Sequence, residues 1–112
     1  MSYGFGRIND IASKIYENAK AKGFHEYAPI FGKGERDTRH ILSWLMLITT
    51  EVAEAAEAVR INDKINFAEE LADIVIRVFD CAEATGVNIE QEIVNKVDKN
   101  LARKYKHGGK LA

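Results

Sequence analysis

Residues 67–82 read Phe-Ala-Glu-Glu-Leu-Ala-Asp-Ile-Val-Ile-Arg-Val-Phe-Asp-Cys-Ala, a stretch that is apolar on nearly every side of a helix. The exception is one stripe of charges at the spacing i, i+3, i+7, i+10, formed by Glu70, Asp73, Arg77 and Asp80. Residues 41–59 follow the same pattern, and their main charges are Glu51, Glu54 and Glu57. Because a helix that is apolar all round is buried on most sides, we expect both helices to pack against other helices and against further copies of the chain.

Two more helices are predicted on either side of these. An apolar face over residues 8–19 predicts a first helix that starts near Gly6 or Asn9 and ends at Gly23. The segment from Gly23 to Asp37 reads as a loop, and the second helix follows it, from Asp37 or Thr38 to Arg60. Asn66 and Asn88 are the predicted N-caps of helices that reach Thr85 and about Tyr105. The sequence therefore predicts an all-α bundle of four to five helices, oligomeric, with residues 1–112 as a single domain.

Composition excludes several classes of protein. The formal net charge is -1, so no global positive field draws the chain to nucleic acid. No apolar run is long enough to span a membrane, and no secretory signal is visible, so we expect a cytoplasmic protein without a membrane partner. Cys81 is the single cysteine, which rules out an internal disulfide and a multi-thiolate zinc site. On an apolar helix it reads as a small core residue.

Two pairs of acids are the strongest chemical signal. Glu51 and Glu54 are three residues apart, as are Glu70 and Asp73, so each pair lies on one side of its helix with Cβ atoms about 5–6 Å apart. Such like-charge pairs repel, and a divalent cation would compensate them. An all-oxygen set suits Mg²⁺ or Mn²⁺, whereas a di-iron bundle needs Glu-x-x-His pairs that this sequence lacks. The competing interpretation is an ordinary solvent-facing row of acids.

These motifs resemble a known family. Glu51-Val-Ala-Glu54, followed after fifteen residues by Glu70-Leu-Ala-Asp73, is similar to the E-x-x-E…E-x-x-D signature of MazG-like all-α nucleoside triphosphate pyrophosphohydrolases. The resemblance extends over about residues 45–110 and includes Lys96-x-x-x-Asn100-x-x-Arg103 and the segment His107-Gly108-Gly109-Lys110. It implies Mg²⁺-dependent hydrolysis of a (deoxy)nucleoside triphosphate to the monophosphate and pyrophosphate, in nucleotide-pool house-cleaning. It further implies a homodimer or homotetramer, with Glu51, Glu54, Glu70 and Asp73 as the metal-binding and catalytic acids.

Other residues are candidates for substrate contacts. Lys96, Asn100 and Arg103 share one face of the fourth helix and suit phosphate oxygens, although basic residues near a helix C-terminus also complement the macrodipole. Trp44 and His40 are candidates for the base, because Trp44 precedes Glu51 by two turns, about 10.5 Å. A tryptophan on an apolar helix, however, is core more often than it is a ligand contact. Arg77 either contacts phosphate or base, or bridges Asp73 and Asp80, and we expect the bridge. The N-terminal aromatic residues and the Gly108-Gly109 tail could cover the nucleotide.

Two other functions remain open on the sequence alone. One is a phosphoribosyl-ATP pyrophosphohydrolase, which uses a similar pair of acidic helices. The other is a non-catalytic helical oligomerisation module whose acids are only a solvated face. The preferred base and sugar, the identity of the general base, the number of metal ions and the choice between α- and β-phosphate attack do not follow from the residues.

Overall fold

The computed structural model describes residues 7–103, and within that range it contains four α-helices and no strand. The helices are α1 (Ile8–Ala21), α2 (Glu35–Arg60), α3 (Lys64–Ala84) and α4 (Ile89–Ala102). The prediction of an all-α fold is therefore confirmed. The tail at residues 107–110 and the possible helix start at Gly6 lie outside the described residues.

The α2–α3 turn is tighter than the sequence predicted. Asn62 takes a left-handed conformation (φ 59°), and its N–H and that of Asp63 donate to the carbonyls of Val59 and Ala58, which closes α2 in a Schellman motif. The Asp63 side chain then accepts from the Asn66 N–H at 3.0 Å, so Asp63 is the N-cap of α3. The prediction that Asn66 is this N-cap was wrong, because an equally good capping residue precedes it by three positions.

α2 also begins earlier than predicted. Its N-cap is Gly34, in an extended conformation, and Glu35 and Asp37 both fall in the first turn, where negative charge is favourable. Asp37 therefore belongs to the helix and not to the loop. Its side chain turns back toward the loop and is 5% exposed.

The starts of α1 and α4 are joined to each other. Asn88 caps α4 as predicted by accepting from the Gln91 N–H at 3.1 Å, and the same oxygen accepts from the Asn9 amide at 2.8 Å. α1 starts at Ile8, between the two predicted starts at Gly6 and Asn9, and Gly23 (φ 93°) ends that helix as predicted. α4 ends at Ala102 and Arg103 is extended (ψ 152°), so the predicted end near Tyr105 was too late.

The four helices bury a small core. α2 and α3 form the most extensive pair, α1 packs on α3, and α4 contacts α1 and α3. The buried apolar residues of the described chain are all small: Ala12, Ala55, Ala58 and Ala82. α2 meanwhile exposes large apolar side chains at heptad spacing, namely Leu42 (51%), Leu45 (47%), Val52 (49%) and Val59 (57%). Small residues let α2 and α3 approach closely, and the exposed stripe lies on another side of α2.

Candidate active site

The site forms where one stripe of α2 faces one stripe of α3. On α2, Trp44, Glu51, Ala55 and Ala58 recur at intervals of three, four or seven residues, so they share a side of the helix. Three of these four are buried, including the acid Glu51, which is only 9% exposed. On α3, the charged stripe found in the sequence faces this side. An acid in the middle of a packing face is the local feature on which the site is built.

Three carboxylates meet at one end of this contact. Oxygens of Glu51, Glu70 and Asp73 all lie within 4.8 Å of one another. Glu70 Oε1 is buried and has no hydrogen-bond partner among the described residues. A buried carboxylate oxygen without a donor is costly, and a divalent cation would satisfy it. The donor set therefore fits Mg²⁺ or Mn²⁺, both of which prefer oxygen ligands.

The crowding of like charges perturbs the acids. Burial raises the pKa of Glu70, and the charge of Glu54 raises it further. The pKa of Glu54 is also raised, first by its hydrogen bond with Glu51 and then by the charge of Glu51. In contrast, the Arg77 guanidinium holds the pKa of Glu51 below its usual value. Glu54 thus belongs to the same electrostatic group, although its oxygens are not among those within 4.8 Å.

Arg77 pairs differently from our expectation. Its Nε donates to Glu51 Oε2 at 2.7 Å, which joins α3 to α2. The predicted bridge between Asp73 and Asp80 along α3 was therefore wrong, because the buried carboxylate across the helix pair is the stronger partner for the guanidinium. Arg77 therefore orients one oxygen of Glu51 and places a positive charge against the cluster.

A cavity of about 940 Å³ extends from the acids toward the loop between α1 and α2. Glu51, Asp73 and Arg77 line one part, and Trp44, His40, His25 and Tyr27 line another. Trp44 is half-buried, and its ring contacts those of His40 and His25 edge to face, with centroids 5.0 and 5.4 Å apart. The cavity is within the size range of small-molecule sites. It therefore has an aromatic end and an acidic end.

Two carboxylates that fasten the loop were missed by the sequence analysis. Asp80 accepts from His25 Nε2, with both oxygens at 2.8 Å. Asp37 accepts from the Tyr27 hydroxyl and, at 2.7 Å, from the Ile30 N–H. Two features of the sequence pointed to the contact between His25 and Asp80. Asp80 ends the charged stripe of α3, and His25 lies two residues after Gly23, the glycine that ends α1. Neither signal names the partner, because both contacts are long-range in sequence.

The predicted phosphate-binding residues do not join this cavity in the described protomer. Lys96 lines a separate small pocket on α4 with Glu92, Asn95, Asp98 and Lys99. Arg103 lies one residue past the end of α4, so only Lys96 and Asn100 share a helical face. Their role in binding phosphate stays a prediction. Phosphate binding by these residues together with the cavity would require contacts that residues 7–103 of one chain do not make.

The other candidates are distributed unevenly. Phe24 and Tyr27 line the cavity, whereas Phe31 is 79% exposed and does not. Phe5 lies outside the described residues. Cys81 is half-buried, and burial raises the pKa of its thiol, which disfavours the nucleophilic thiolate.

The described helices thus place a cluster of oxygen ligands at one end of an aromatic-lined cavity. This arrangement is typical of proteins that bind a cation beside an organic ligand. A family model for the MazG nucleotide pyrophosphohydrolase domain matches residues 39–108, well over half of the chain. The chain belongs to the MazG family, as the resemblance over residues 45–110 predicted. Membership supports nucleotide pyrophosphohydrolase activity in general, and the family typically uses a divalent metal.

No curated protein and no solved structure gave a significant match to the chain. Among the helices described, none combines the length and the apolar character that crossing a membrane requires.

Proposed function

We propose that this protein hydrolyses a (deoxy)nucleoside triphosphate to the monophosphate and pyrophosphate, with Mg²⁺ or Mn²⁺, and so removes unwanted nucleotides from the pool. The observation that carries the proposal is the position of the Glu51–Glu70–Asp73 cluster beside an aromatic-lined cavity. A nucleotide has both chemistries in one molecule: a flat base for the rings and phosphates for the metal. The cytoplasmic location and the single domain over residues 1–112 stay predictions.

The residues divide the work as follows. Glu51, Glu70 and Asp73 would hold the cation, and Glu54 adds negative charge beside them. Arg77 keeps Glu51 ionised and oriented through its 2.7 Å contact. When bound, the cation would neutralise charge on the phosphate oxygens and position them for attack by water. Water adds to the α- or the β-phosphorus, the bond from that phosphorus to the oxygen bridging the two phosphates breaks, and a nearby carboxylate is available to take the proton.

The test is a screen for pyrophosphate release. The natural ribo- and deoxyribonucleoside triphosphates are incubated singly with the protein and Mg²⁺, with a chelator as the blank. Glu70→Gln removes a charge from the cluster, and the neighbouring exposed Glu69→Gln is its matched control. We expect Mg²⁺-dependent release that Glu70→Gln lowers by about 10²-fold or more while Glu69→Gln retains it. Release from none of the triphosphates would overturn the proposal, and release from phosphoribosyl-ATP alone would favour that alternative.

We further propose that the protein works as a homodimer or homotetramer. The support is the exposed heptad stripe of α2, because rows of large apolar side chains half exposed to water are costly in a monomer. In sedimentation velocity the protein should run as a dimer or larger at micromolar concentration, and dilution should lower its melting temperature. A monomer whose melting temperature is independent of concentration would contradict this.

A further inference from the structure

The aromatic end of the cavity contains a chain of rings built around one buried histidine. His25 lies between Tyr16 and Trp44, with ring centroids 4.8 and 5.4 Å away. His40 and Tyr27 continue the chain beyond Trp44. Most of these groups offer faces and edges that bind flat molecules without preference. The two histidines also carry ring nitrogens that can form hydrogen bonds, and His25 has one of these nitrogens held by the Asp80 carboxylate.

His25 is fixed in place from two directions. Its side chain is 5% exposed, and its Nε2 contacts both oxygens of Asp80 at 2.8 Å. Its backbone is left-handed (φ 65°), a conformation in which histidine is tolerated better than most residues. Asp80 itself is 24% exposed on its side chain. A ring held by packing, by its backbone and by a hydrogen bond to a carboxylate is preorganised for binding.

The Asp80 contact decides what the other ring nitrogen can do. Because a carboxylate only accepts, Nε2 must carry the hydrogen that it donates, and in the neutral imidazole Nδ1 then carries a lone pair. No described residue donates to Nδ1. His25 also lines the cavity. His25 therefore contributes to the cavity wall a fixed ring whose second nitrogen is an acceptor that no described residue uses.

We propose that His25 is a specificity determinant that accepts a hydrogen bond from the exocyclic amino group of the substrate base, and that Asp80 is its positioning residue. This rests on the proposed function and names the substrate class: triphosphates of aminated bases, over those with a carbonyl at the same position. A carbonyl oxygen in the same place would be repelled by the Nδ1 lone pair, so the site both favours the amino group and disfavours the carbonyl group.

The test compares bases that differ at this group and at the ring nitrogen beside it. kcat/KM is measured for dCTP against dUTP and for dATP against dITP, all at one fixed pH. We expect the wild-type protein to prefer each amine by about tenfold, the scale of one hydrogen bond gained or lost. The ratio is taken within one preparation, so loss of folded protein, which lowers both rates equally, does not change it.

Three variants separate recognition from packing. His25→Phe keeps a ring between Tyr16 and Trp44 but has no acceptor, so the preference should fall toward one. Asp80→Ala leaves His25 in place but frees its tautomer, so the preference should fall again, which is the effect expected of a positioning residue. Tyr16→Phe keeps the ring contact and loses only a hydroxyl, and it should retain the wild-type preference.

The outcomes are distinguishable from failure of the proposed function. If the wild type hydrolyses the amino and carbonyl substrates equally, or prefers the carbonyl substrates, the role of His25 is overturned and the proposed hydrolase activity stands. An unchanged preference in both His25→Phe and Asp80→Ala overturns it as well. Hydrolysis of none of the four substrates overturns this inference, and the screen over all natural nucleoside triphosphates then decides separately whether the protein is a hydrolase.

Discussion

Two carboxylate sites in this protein are close to each other in sequence, but the charge of each is compensated in a different way. Asp37 is a single acid with a donor for each oxygen: the Tyr27 hydroxyl and the Ile30 N–H. The acidic cluster of Glu51, Glu54, Glu70 and Asp73 has several acids and one cation, Arg77, and Glu70 Oε1 has no donor in the described chain. Hydrogen bonds lower the pKa of Asp37, whereas burial and like charge raise the pKa of Glu54 and Glu70.

We propose that this difference separates an acid that stabilises the fold from acids that act on a ligand. A buried carboxylate whose bonds are all made inside the protein has nothing left for a substrate. Carboxylates that repel one another and lack donors weaken the fold until a cation joins them. Asp37 therefore has a donor for each of its oxygens, whereas the cluster has an oxygen without a donor that a cation could bind.

Removing one acid from the cluster should have the largest effect on turnover. We expect Glu54→Ala and Asp73→Ala to lower Mg²⁺-dependent turnover by about 10²-fold or more, because each removes charge that stabilises the transition state. Both should raise the melting temperature of the metal-free protein slightly, since they relieve repulsion. Steady-state kinetics and thermal melts in the presence of a chelator check the two effects.

Glu57→Ala is the matched control, because Glu57 is an exposed acid of α2 that pairs with Arg60. It should retain full turnover. Full activity in both cluster variants would refute their assignment to the site.

A smaller effect is expected at Trp44, which lies between the two groups of acids. If its ring stacks on the base, Trp44→Ala should raise KM, because a stacked base contributes about 1–3 kcal/mol. If it is core, the same change should cost about 3–5 kcal/mol of stability and leave KM unchanged. Its position in the cavity wall, half-buried and edge-on to two histidines, leads us to expect the KM effect.

Trp44→Phe is the control for this prediction, since it keeps a ring and most of the packing. Melting temperature and KM are measured on both variants. An unstable Trp44→Ala protein with normal KM would return Trp44 to the core.

The smallest effect is expected at Asp37 and is one of stability alone. Since the folded pKa of Asp37 is lowered, chiefly by the Tyr27 hydroxyl and then by the Ile30 N–H, its contribution is present above the unfolded aspartate pKa of about 3.9. It is lost as pH falls through the lower, folded pKa. Asp37→Asn should therefore reduce the melting temperature near neutral pH and flatten its fall below about pH 4.

Melting temperature recorded against pH for the wild type and Asp37→Asn, both metal-free, tests this. Parallel curves at low pH would show that the Asp37 bonds carry no charge-dependent stability. The response of the melting temperature to Mg²⁺ should be the same in both proteins, because Asp37 is not part of the cluster.

Periodicity and caps were enough to predict the helices and the acidic stripe, because both depend on neighbours within a few residues. The stripe of Glu70, Asp73, Arg77 and Asp80 does face α2, and Trp44 and Glu51 do share one side of it. What failed were contacts between distant residues: Arg77 with Glu51, His25 with Asp80, and Asn9 with Asn88. A side chain's spacing along its own helix gives its direction but not which of several possible partners it meets.

The loop shows the same limit at closer range. Asp37 and Thr38 were equally good starts for α2, and nothing local shows that Asp37 would bond to Ile30 and Tyr27 and so leave helix initiation to Gly34. Likewise the acids could be listed from the sequence, whereas the missing donor at Glu70 Oε1 could be found only from the packing around it.

Direct titration with Mn²⁺, followed by electron paramagnetic resonance, tests the claim that the acidic cluster is a cation site. Wild-type protein, Glu70→Gln and Glu69→Gln are titrated with and without a non-hydrolysable nucleoside triphosphate. The account predicts saturable Mn²⁺ binding that the nucleotide strengthens, that Mg²⁺ displaces, that Glu70→Gln weakens about tenfold or more, and that Glu69→Gln leaves unchanged. Equal Mn²⁺ binding by Glu70→Gln and Glu69→Gln, or none by the wild type, would contradict it.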